Sequence, residues 1–214
     1  MTAGSGFHLD AGIPVESVPH GSNVLVAGSS ALSPRTVALR VLAAGVDAGE
    51  AAVVVSADRS ARQLVQEYAE AAGAEPPAER FRVVDCAGTG GDHSHAVEWV
   101  SSPRDLTGIG MGIVKAGRSI PGDPPVRMGV LSLSTVLRYV DFDRTFNFAH
   151  VLAGRVAAAD RLGVYTIDPT AHEDRPVNAL RALFDCVVEL REGEAGREVR
   201  VAGRPGGATD WQPL

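Results

Sequence analysis

The sequence contains almost no lysine, few aromatic residues and no long hydrophobic run. Lys115 is the only lysine among 20 basic residues, aromatic residues make up 5% of the chain, and the net charge is −6. No apolar run reaches the roughly 20 residues needed to cross a bilayer, and residues 1–10 lack the basic and apolar regions of a signal peptide. We therefore expect a cytoplasmic protein. Because the sequence shows no basic cluster, it also predicts no nucleic-acid partner.

The sequence has only two cysteines, Cys86 and Cys186. Each lies inside an apolar, strand-like run, where a small buried hydrophobic residue fits better than a metal ligand or a redox group. A cytoplasmic setting also argues against a disulfide bond between them.

The length of 214 residues fits one globular domain. We interpret residues 1–20 as an N-terminal segment and residues 21–204 as a single domain. Residues 205–214 are rich in glycine and proline and are predicted to form a flexible tail.

Short β-branched runs alternate with longer helical patterns along the chain. Apolar strands separated by crossover helices predict a parallel sheet covered by helices on both faces. The segments 187–190 and 199–202 are predicted to form a hairpin at a sheet edge. Gly163 would end the long fourth helix. The predicted strands are 24–28, 51–57, 81–87, 127–134, 164–168 and 186–191, and the predicted helices are 34–47, 60–72, 105–118, 143–162 and 174–184.

The loop after the first predicted strand lies where parallel α/β proteins commonly bind ligands. A phosphate-binding loop has the pattern G-x-x-x-x-G-K-[ST], in which backbone amides surround the phosphate, lysine neutralises its oxygens and the hydroxyl holds Mg²⁺. Counted from Gly28, the second glycine is replaced by Ser33, the lysine by Pro34 and the hydroxyl residue by Arg35.

Two interpretations of this loop remain open. One inserted residue would place Arg35 and Thr36 at the Lys-Thr position, but proline has no amide to offer and arginine is bulkier and differently directed than lysine. Alternatively, Ser33 is the N-cap of a helix that has Pro34 at its first position. We favour the capped helix, because it accounts for every residue of the loop.

The order of motifs along the chain resembles that of KaiC-like and archaeal RecA-superfamily ATPases. The run 23–67 is similar to their strand, P-loop, helix and second strand, and 129–168 to their Walker B strand with the following helix and strand. The run 184–190 is similar to their late F-D-G-V-I-E-L strand. The stretches 150–155 and 168–172 resemble uncharacterised RecA-like proteins of salt-loving archaea.

This resemblance implies a three-layer α/β/α RecA-like P-loop NTPase fold, with a mostly parallel central sheet and a C-terminal edge hairpin. The sequence also departs from the motifs of these ATPases. Leu131 replaces the Walker B aspartate, and Ala57-Asp58 replaces the catalytic glutamate pair. The residues that would form a vestigial nucleotide site are Gly28, Arg35, Thr36 and Asp58.

Phosphoryl transfer depends almost wholly on positioning and charge neutralisation. We therefore predict a pseudo-ATPase that is not an enzyme, with no catalytic residue, no metal and no cofactor. It would act as a regulatory or structural module by binding a protein partner. The alternative is a KaiC-like switch that binds ATP with weak or no turnover.

Three further candidate sites contain histidine. His93 and His95 with Asp92 could bind a metal, although a solvated polar loop is favoured. The triplet Asp168, Thr170 and His172 follows the fifth strand and could face a ligand, or Thr170 could cap the next helix. His150, within the long helix, is predicted to be packed and hydrogen bonded.

The helix 106–116 carries small residues at 108, 110 and 112. Each glycine weakens a helix by about 1 kcal/mol, so we expect a compensating contact on that face. That face contacts either a second copy of the chain, which would give a homodimer, or another part of the same chain.

Overall fold

The computed structural model describes residues 6–87, 97–194, 196–203 and 207–214. These residues form an α/β fold with one large, mostly parallel sheet, as the sequence predicts. The strands are β1 (Gly6–His8), β2 (Ser17–Pro19), β3 (Asn23–Ala27), β4 (Ala51–Ser56), β5 (Phe81–Asp85), β6 (Val97–Trp99), β7 (Val126–Leu131), β8 (Leu162–Ile167), β9 (Cys186–Gly193), β10 (Gly196–Ala202) and β11 (Gln212–Pro213). The helices are α1 (Pro34–Ala43), α2 (Ala61–Ala72), α3 (Leu106–Arg118), α4 (Leu133–Tyr139), α5 (Phe142–Ala158) and α6 (Asp174–Arg181).

The central sheet has the strand order β11-β10-β9-β3-β8-β7-β4-β5-β6. The strands from β9 to β6 run parallel. Strand β10 pairs antiparallel with β9, so the predicted edge hairpin is confirmed. Within the segment predicted as a flexible tail, β11 pairs with β10. Because parallel strands end at the same edge, the loops after β3, β4, β7 and β8 meet at one side of the sheet.

Two hydrophobic cores cover the two faces of the sheet. Helices α1 and α2 pack on one face, together with side chains of the N-terminal segment, and α3 to α6 pack on the other. Cys86 and Cys186 are both buried, as predicted, and they belong to different cores. Burial raises the pKa of the Cys86 thiol to about 12, so this thiol stays protonated at neutral pH. No described helix combines the length and the apolar character needed to cross a membrane.

Several predicted boundaries are wrong for local reasons. Strand β7 stops at Leu131 and not at 134, because Ser132 has φ 83° and its side chain caps a short helix, α4, that the sequence analysis did not predict. Helix α5 ends at Ala158, and Gly163 lies inside β8 and does not stop the helix. A Cβ at that glycine would stand 2.5 Å from the Asn23 side chain and 2.8 Å from the Tyr165 ring.

Helix α1 is also shorter than predicted, and a strand was missed. The helix ends at Ala43 instead of 47. Strand β6 lies within a region that was predicted to be loop, and it pairs with β5 at the sheet edge. With only three residues, β6 is too short to show a periodic pattern.

Besides its apolar packing, the N-terminal segment contacts the domain through one buried guanidinium. Arg127, on β7, is 1% exposed. Its Nε donates to the Glu50 carboxylate at 2.5 Å, and its Nη1 donates to the carbonyls of His8 (2.7 Å) and Val41 (2.6 Å). The guanidinium also lies over the Phe7 ring, 5.3 Å from its centroid. These contacts join the hairpin β1-β2 to α1, β4 and β7.

Replacing Arg127 with methionine should lower the free energy of unfolding by roughly 3 kcal/mol, because it breaks a buried ion pair and two hydrogen bonds to carbonyls. Arg59→Met is the matched control, since Arg59 is half exposed and pairs with Glu67 at 3.5 Å. Exposed pairs of this kind contribute at most about 1 kcal/mol. Urea unfolding of both variants measures the difference, and equal destabilisation would contradict the role given to Arg127.

Candidate functional site

The loop after β3 starts at a buried glycine and turns sharply into α1. The Gly28 amide donates to the Ile167 carbonyl at 3.2 Å. A Cβ at this position would stand 2.9 Å from the Leu190 side chain, so close packing against β9 requires glycine. Residues Ser30–Leu32 then form a single 3₁₀ turn, and Ser33 enters α1 with φ 58°.

Ser33 occupies the N-cap position, with Pro34 in the first turn, but its side chain makes no cap hydrogen bond. The left-handed backbone at Ser33 replaces the extended conformation that a capping serine normally adopts. The side-chain cap predicted from the sequence is therefore wrong. A capping box occurs instead one helix later, where the Ser60 side chain accepts the Gln63 amide and the Gln63 side chain accepts the Ser60 amide.

Arg35, a predicted nucleotide-site residue, is bound by two carboxylates of this chain. Its Nη1 donates to Asp58 at 3.0 Å and its Nε donates to Glu67 at 2.5 Å. Its Nη2 has no hydrogen-bond partner among the described residues and is enclosed. Thus Arg35 and Asp58 do lie together, as a vestigial site would require, but they satisfy each other. Thr36 is exposed on the first turn of α1.

The Asp168 carboxylate ties the end of β8 to the loop after β3. One oxygen accepts the Ser30 amide at 2.9 Å, and the other accepts the Thr170 amide at 3.0 Å and its hydroxyl at 2.6 Å. Burial acts to raise the pKa of Asp168, but the hydrogen bonds from Thr170 and Ser30 outweigh it and hold that pKa below its ordinary value. The carboxylate therefore stays charged and occupied at neutral pH.

Thr170 and His172, the other two members of the triplet, were predicted to face a ligand or, for Thr170, to cap the next helix. Thr170 donates to Asp168, and the residue at the N-cap of α6 is Glu173, so Thr170 does not cap that helix. Burial, against the opposing charge of Asp168, lowers the pKa of His172. His172 is therefore neutral at neutral pH.

Leu131, which the sequence resemblance aligns with the Walker B aspartate, lies at the end of β7. Its side chain is fully buried in a hydrophobic core. The next residue, Ser132, donates its amide to the Thr166 hydroxyl at 2.7 Å, and its own hydroxyl bonds with Thr135 at 2.8 Å. The polar groups at this strand end thus bind one another.

A cleft of about 510 Å³ opens between the loop after β3 and the β9-β10 hairpin. It is lined by Gly28, Thr170, Leu190 and Trp211, together with charged residues of α6 and β9. Arg191 lies 4.2 Å from the centroid of the Trp211 ring.

The arginines at this cleft are paired with glutamates. Arg191 contacts Glu198 at 2.7 Å, and Arg181 contacts Glu189, which Arg200 also contacts at 2.5 Å. Burial acts to raise the pKa of Glu189, but hydrogen bonds from the two arginines hold it below its ordinary value.

The histidine candidates receive no support as a metal site. Asp92, His93 and His95 lie outside the described residues. Within the described part of the chain, no group of three or more potential ligands could hold a metal ion. His150 is exposed, not packed in the interior, and its ring is parallel to that of Phe146 at 6.4 Å.

A second concave surface is lined by residues of α3 and α5 and by none of these loops. This α3–α5 trough has a volume of about 840 Å³. Its apolar lining comes from both helices and includes side chains that are largely exposed to solvent. These lining residues are Leu106, Met111, Val114, Phe148, Val151 and Leu152.

The glycines of α3 do not form one exposed contact face. A Cβ at Gly112 would stand 2.9 Å from the buried Val84 side chain, so this glycine packs α3 against β5. Gly108 faces the Asp105 carboxylate that caps the helix, and only Gly110 faces open space. Gly112 is therefore not the surface contact that the homodimer alternative would use.

Comparison with solved structures assigns the fold class. An uncharacterised protein of Pyrococcus horikoshii, solved in complex with an unknown peptide, aligns with TM-score 0.66 and 12% identity over 86% of this chain and 84% of that protein. A KaiC-like protein of the same organism gives TM-score 0.64 and 16% identity, covering 92% and 87%. The flagellar accessory protein FlaH of Methanocaldococcus jannaschii gives 0.60 and 11%, covering 92% and 87%. The fold is that of the RecA-like and KaiC-like proteins, as the motif order predicts.

The family assignment follows from the sequence. The chain belongs to a family of unknown function, DUF7504, whose profile matches residues 21–190. A comparison with curated proteins finds no significant match. The identities to the solved structures are low, so these likenesses describe the fold and not the activity.

Ser60→Ala should lower the free energy of unfolding by about 0.5–2 kcal/mol, because it removes the side-chain half of a capping box. Ser33→Ala should change it by less than about 0.5 kcal/mol, because no cap hydrogen bond is lost. Chemical denaturation of the two variants tests this contrast. A larger loss at Ser33 than at Ser60 would show that the loop after β3 is capped after all.

Gly110→Ala should stabilise the protein by up to about 1 kcal/mol, because it raises helix propensity in open space. Gly112→Ala should destabilise it by about 1–2 kcal/mol, because the new methyl group meets the stiff Val84 side chain. Thermal unfolding compares the pair. Equal shifts in melting temperature would contradict the inward orientation of Gly112.

Proposed function

We propose that this protein is a RecA-like module that does not hydrolyse nucleotide and acts as a regulatory or structural component by binding a protein partner. The observation that carries the proposal is the pairing of Arg35 with Asp58 and Glu67. This arginine is the cation nearest to the lysine position of a P-loop, and its charge is already neutralised by the chain.

Several features support the loss of turnover. Pro34 provides no amide where a P-loop amide would face phosphate. Leu131, at the Walker B position, has no oxygen to hold Mg²⁺ through water. The Ser30 amide is already used by Asp168. Since phosphoryl transfer is catalysed by charge neutralisation and positioning, these replacements together favour a scaffold over an enzyme.

Partner binding is supported by exposed apolar surface. The α3–α5 trough exposes Met111, Val114 and Val151 on the outside of the domain. Contiguous apolar patches on a soluble domain commonly mark interaction sites. A structurally similar protein of P. horikoshii was solved with a peptide bound, which agrees with a binding role for this fold.

A second candidate function is a switch that binds ATP with weak or no turnover. It is favoured by the cleft of about 510 Å³ beside Gly28, whose volume lies within the usual range for small-molecule sites. For phosphate binding through Arg35 and Thr36, however, Arg35 would have to leave Asp58 and Glu67.

We expect no ATP hydrolysis above background, and no change in melting temperature when millimolar ATP and Mg²⁺ are added. A ligand present at 100 times its dissociation constant would add about 2.7 kcal/mol to the free energy of unfolding, so binding in the micromolar range would be readily detected. Thermal-shift measurements and phosphate-release assays test both expectations on the unmodified protein.

The matched variants for calorimetry are Arg35→Ala and Arg62→Ala, the latter at an exposed position of α2. Micromolar ATP affinity that is lost in Arg35→Ala and kept in Arg62→Ala would overturn the scaffold proposal and establish the ATP-binding switch. Measurable turnover would overturn the scaffold proposal, and turnover at the rate of an ordinary ATPase would exclude the switch as well.

A further inference from the structure

We propose that the α3–α5 trough binds an acidic amphipathic helix of a partner protein. This inference rests on the proposed partner-binding function and deepens it, because it names the surface and the chemistry of the partner.

Exposed apolar side chains are concentrated at this trough. Five large hydrophobic side chains are exposed among the described residues, and three of them line this trough. Met111 is 65% exposed, Val151 53% and Val114 39%. Buried neighbours such as Leu152 continue the apolar surface inward. The trough therefore offers a continuous apolar floor that a partner's side chains could cover.

The rim of the trough is positively charged. Four cations line the trough, and no aspartate or glutamate does. Lys115 forms an ion pair with Glu98. The other three cations, which are Arg118, Arg144 and Arg155, make no ion pair with described residues. This basic rim belongs to a chain whose net charge is −6. Charge complementarity then favours an acidic occupant.

The length of the trough suits a short helix. The lining runs from Leu106 to Arg118 on α3 and from Arg144 to Arg155 on α5. At 1.5 Å per residue, these stretches span about 16–18 Å. A helix of about three turns matches this length, and apolar residues at i, i+3 or i+4 and i+7 would meet the floor along its whole extent.

Other occupants fit less well. In a two-fold contact between identical copies, the same basic rim would face itself, so like charges would repel. Single-stranded nucleic acid commonly stacks its bases on aromatic rings, but the exposed side chains here are Met111, Val114 and Val151. An anionic membrane could use the charges, but it would not select a trough of helix length.

The test uses a display library of random peptides of about 16 residues, long enough for four helical turns, with the unmodified chain as bait. We expect the enriched peptides to carry Asp or Glu beside apolar residues at helical spacing. Their affinity, measured by fluorescence anisotropy of synthetic copies, should fall with added salt.

Three variants locate the binding surface. Val114→Glu and Arg155→Glu should each weaken binding of the enriched peptides by about tenfold or more, because they place a carboxylate on the floor or on the rim. Arg62→Glu, on the opposite face of the sheet, should leave the affinity unchanged. All three positions are exposed, and circular dichroism verifies that the variants fold.

The proposal is overturned if no peptide is enriched, if the enriched peptides are not acidic, or if Val114→Glu and Arg155→Glu bind them as the unmodified chain does. It is also overturned if the same two variants abolish binding to vesicles of phosphatidylcholine and phosphatidylglycerol or to a single-stranded oligonucleotide while peptides do not bind. A dimer that Val114→Glu converts to a monomer, seen by light scattering, would assign the trough to a second copy. Because these measurements use no nucleotide, they fail or succeed independently of the ATP experiments.

Discussion

The buried guanidinium of Arg127 sets a constraint that shapes the whole assembly. A charge removed from water must be met by acceptors, and here they come from Glu50 before β4, from the end of α1 and from β1. One side chain thereby contacts the last turn of the first helix and the N-terminal hairpin together. Arginines are also paired with carboxylates of the chain at the carboxyl edge of the sheet, as Arg35 and Arg181 show.

The two concave surfaces of the molecule differ in whether their arginines and lysine are paired with carboxylates. Around the loop after β3, Arg35 and Arg191 have carboxylate partners, so an incoming phosphate would have to compete with Asp58, Glu67 or Glu198. Along the α3–α5 trough, most of the cations have no partner among the described residues. Cations without an ion-pair partner among the described residues thus line the trough, whereas those beside the loop after β3 are paired.

The sequence predicted the architecture but not the fine boundaries, and the reasons are physical. Apolar strands that alternate with crossover helices are typical of a parallel sheet covered on both faces. This pattern therefore predicted most of the strands and helices. The end of β7 depends on the positive φ of Ser132, and the position of Gly163 depends on its contact with Asn23. Neither feature leaves a periodic signal. For the same reason the sequence left two alternatives open for the glycines of α3, and only the contact of Gly112 with Val84 shows that this residue packs inside the domain. The trough was missed because its cations are far apart in sequence and come together only when α3 and α5 lie side by side.

The candidate site also explains how a RecA-like sheet could be stable without a bound phosphate. In a P-loop, the amides that point into the loop bind the phosphate. Here the Asp168 carboxylate accepts the Ser30 amide, and the Gly28 amide donates to the Ile167 carbonyl. Pro34 removes a further amide altogether. These amides of the loop are therefore bound by the chain's own acceptors, as the proposed loss of nucleotide binding would require. A module with this property would present the α3–α5 trough in one conformation whatever the nucleotide concentration, which suits a constant structural or regulatory partner better than a nucleotide-driven switch.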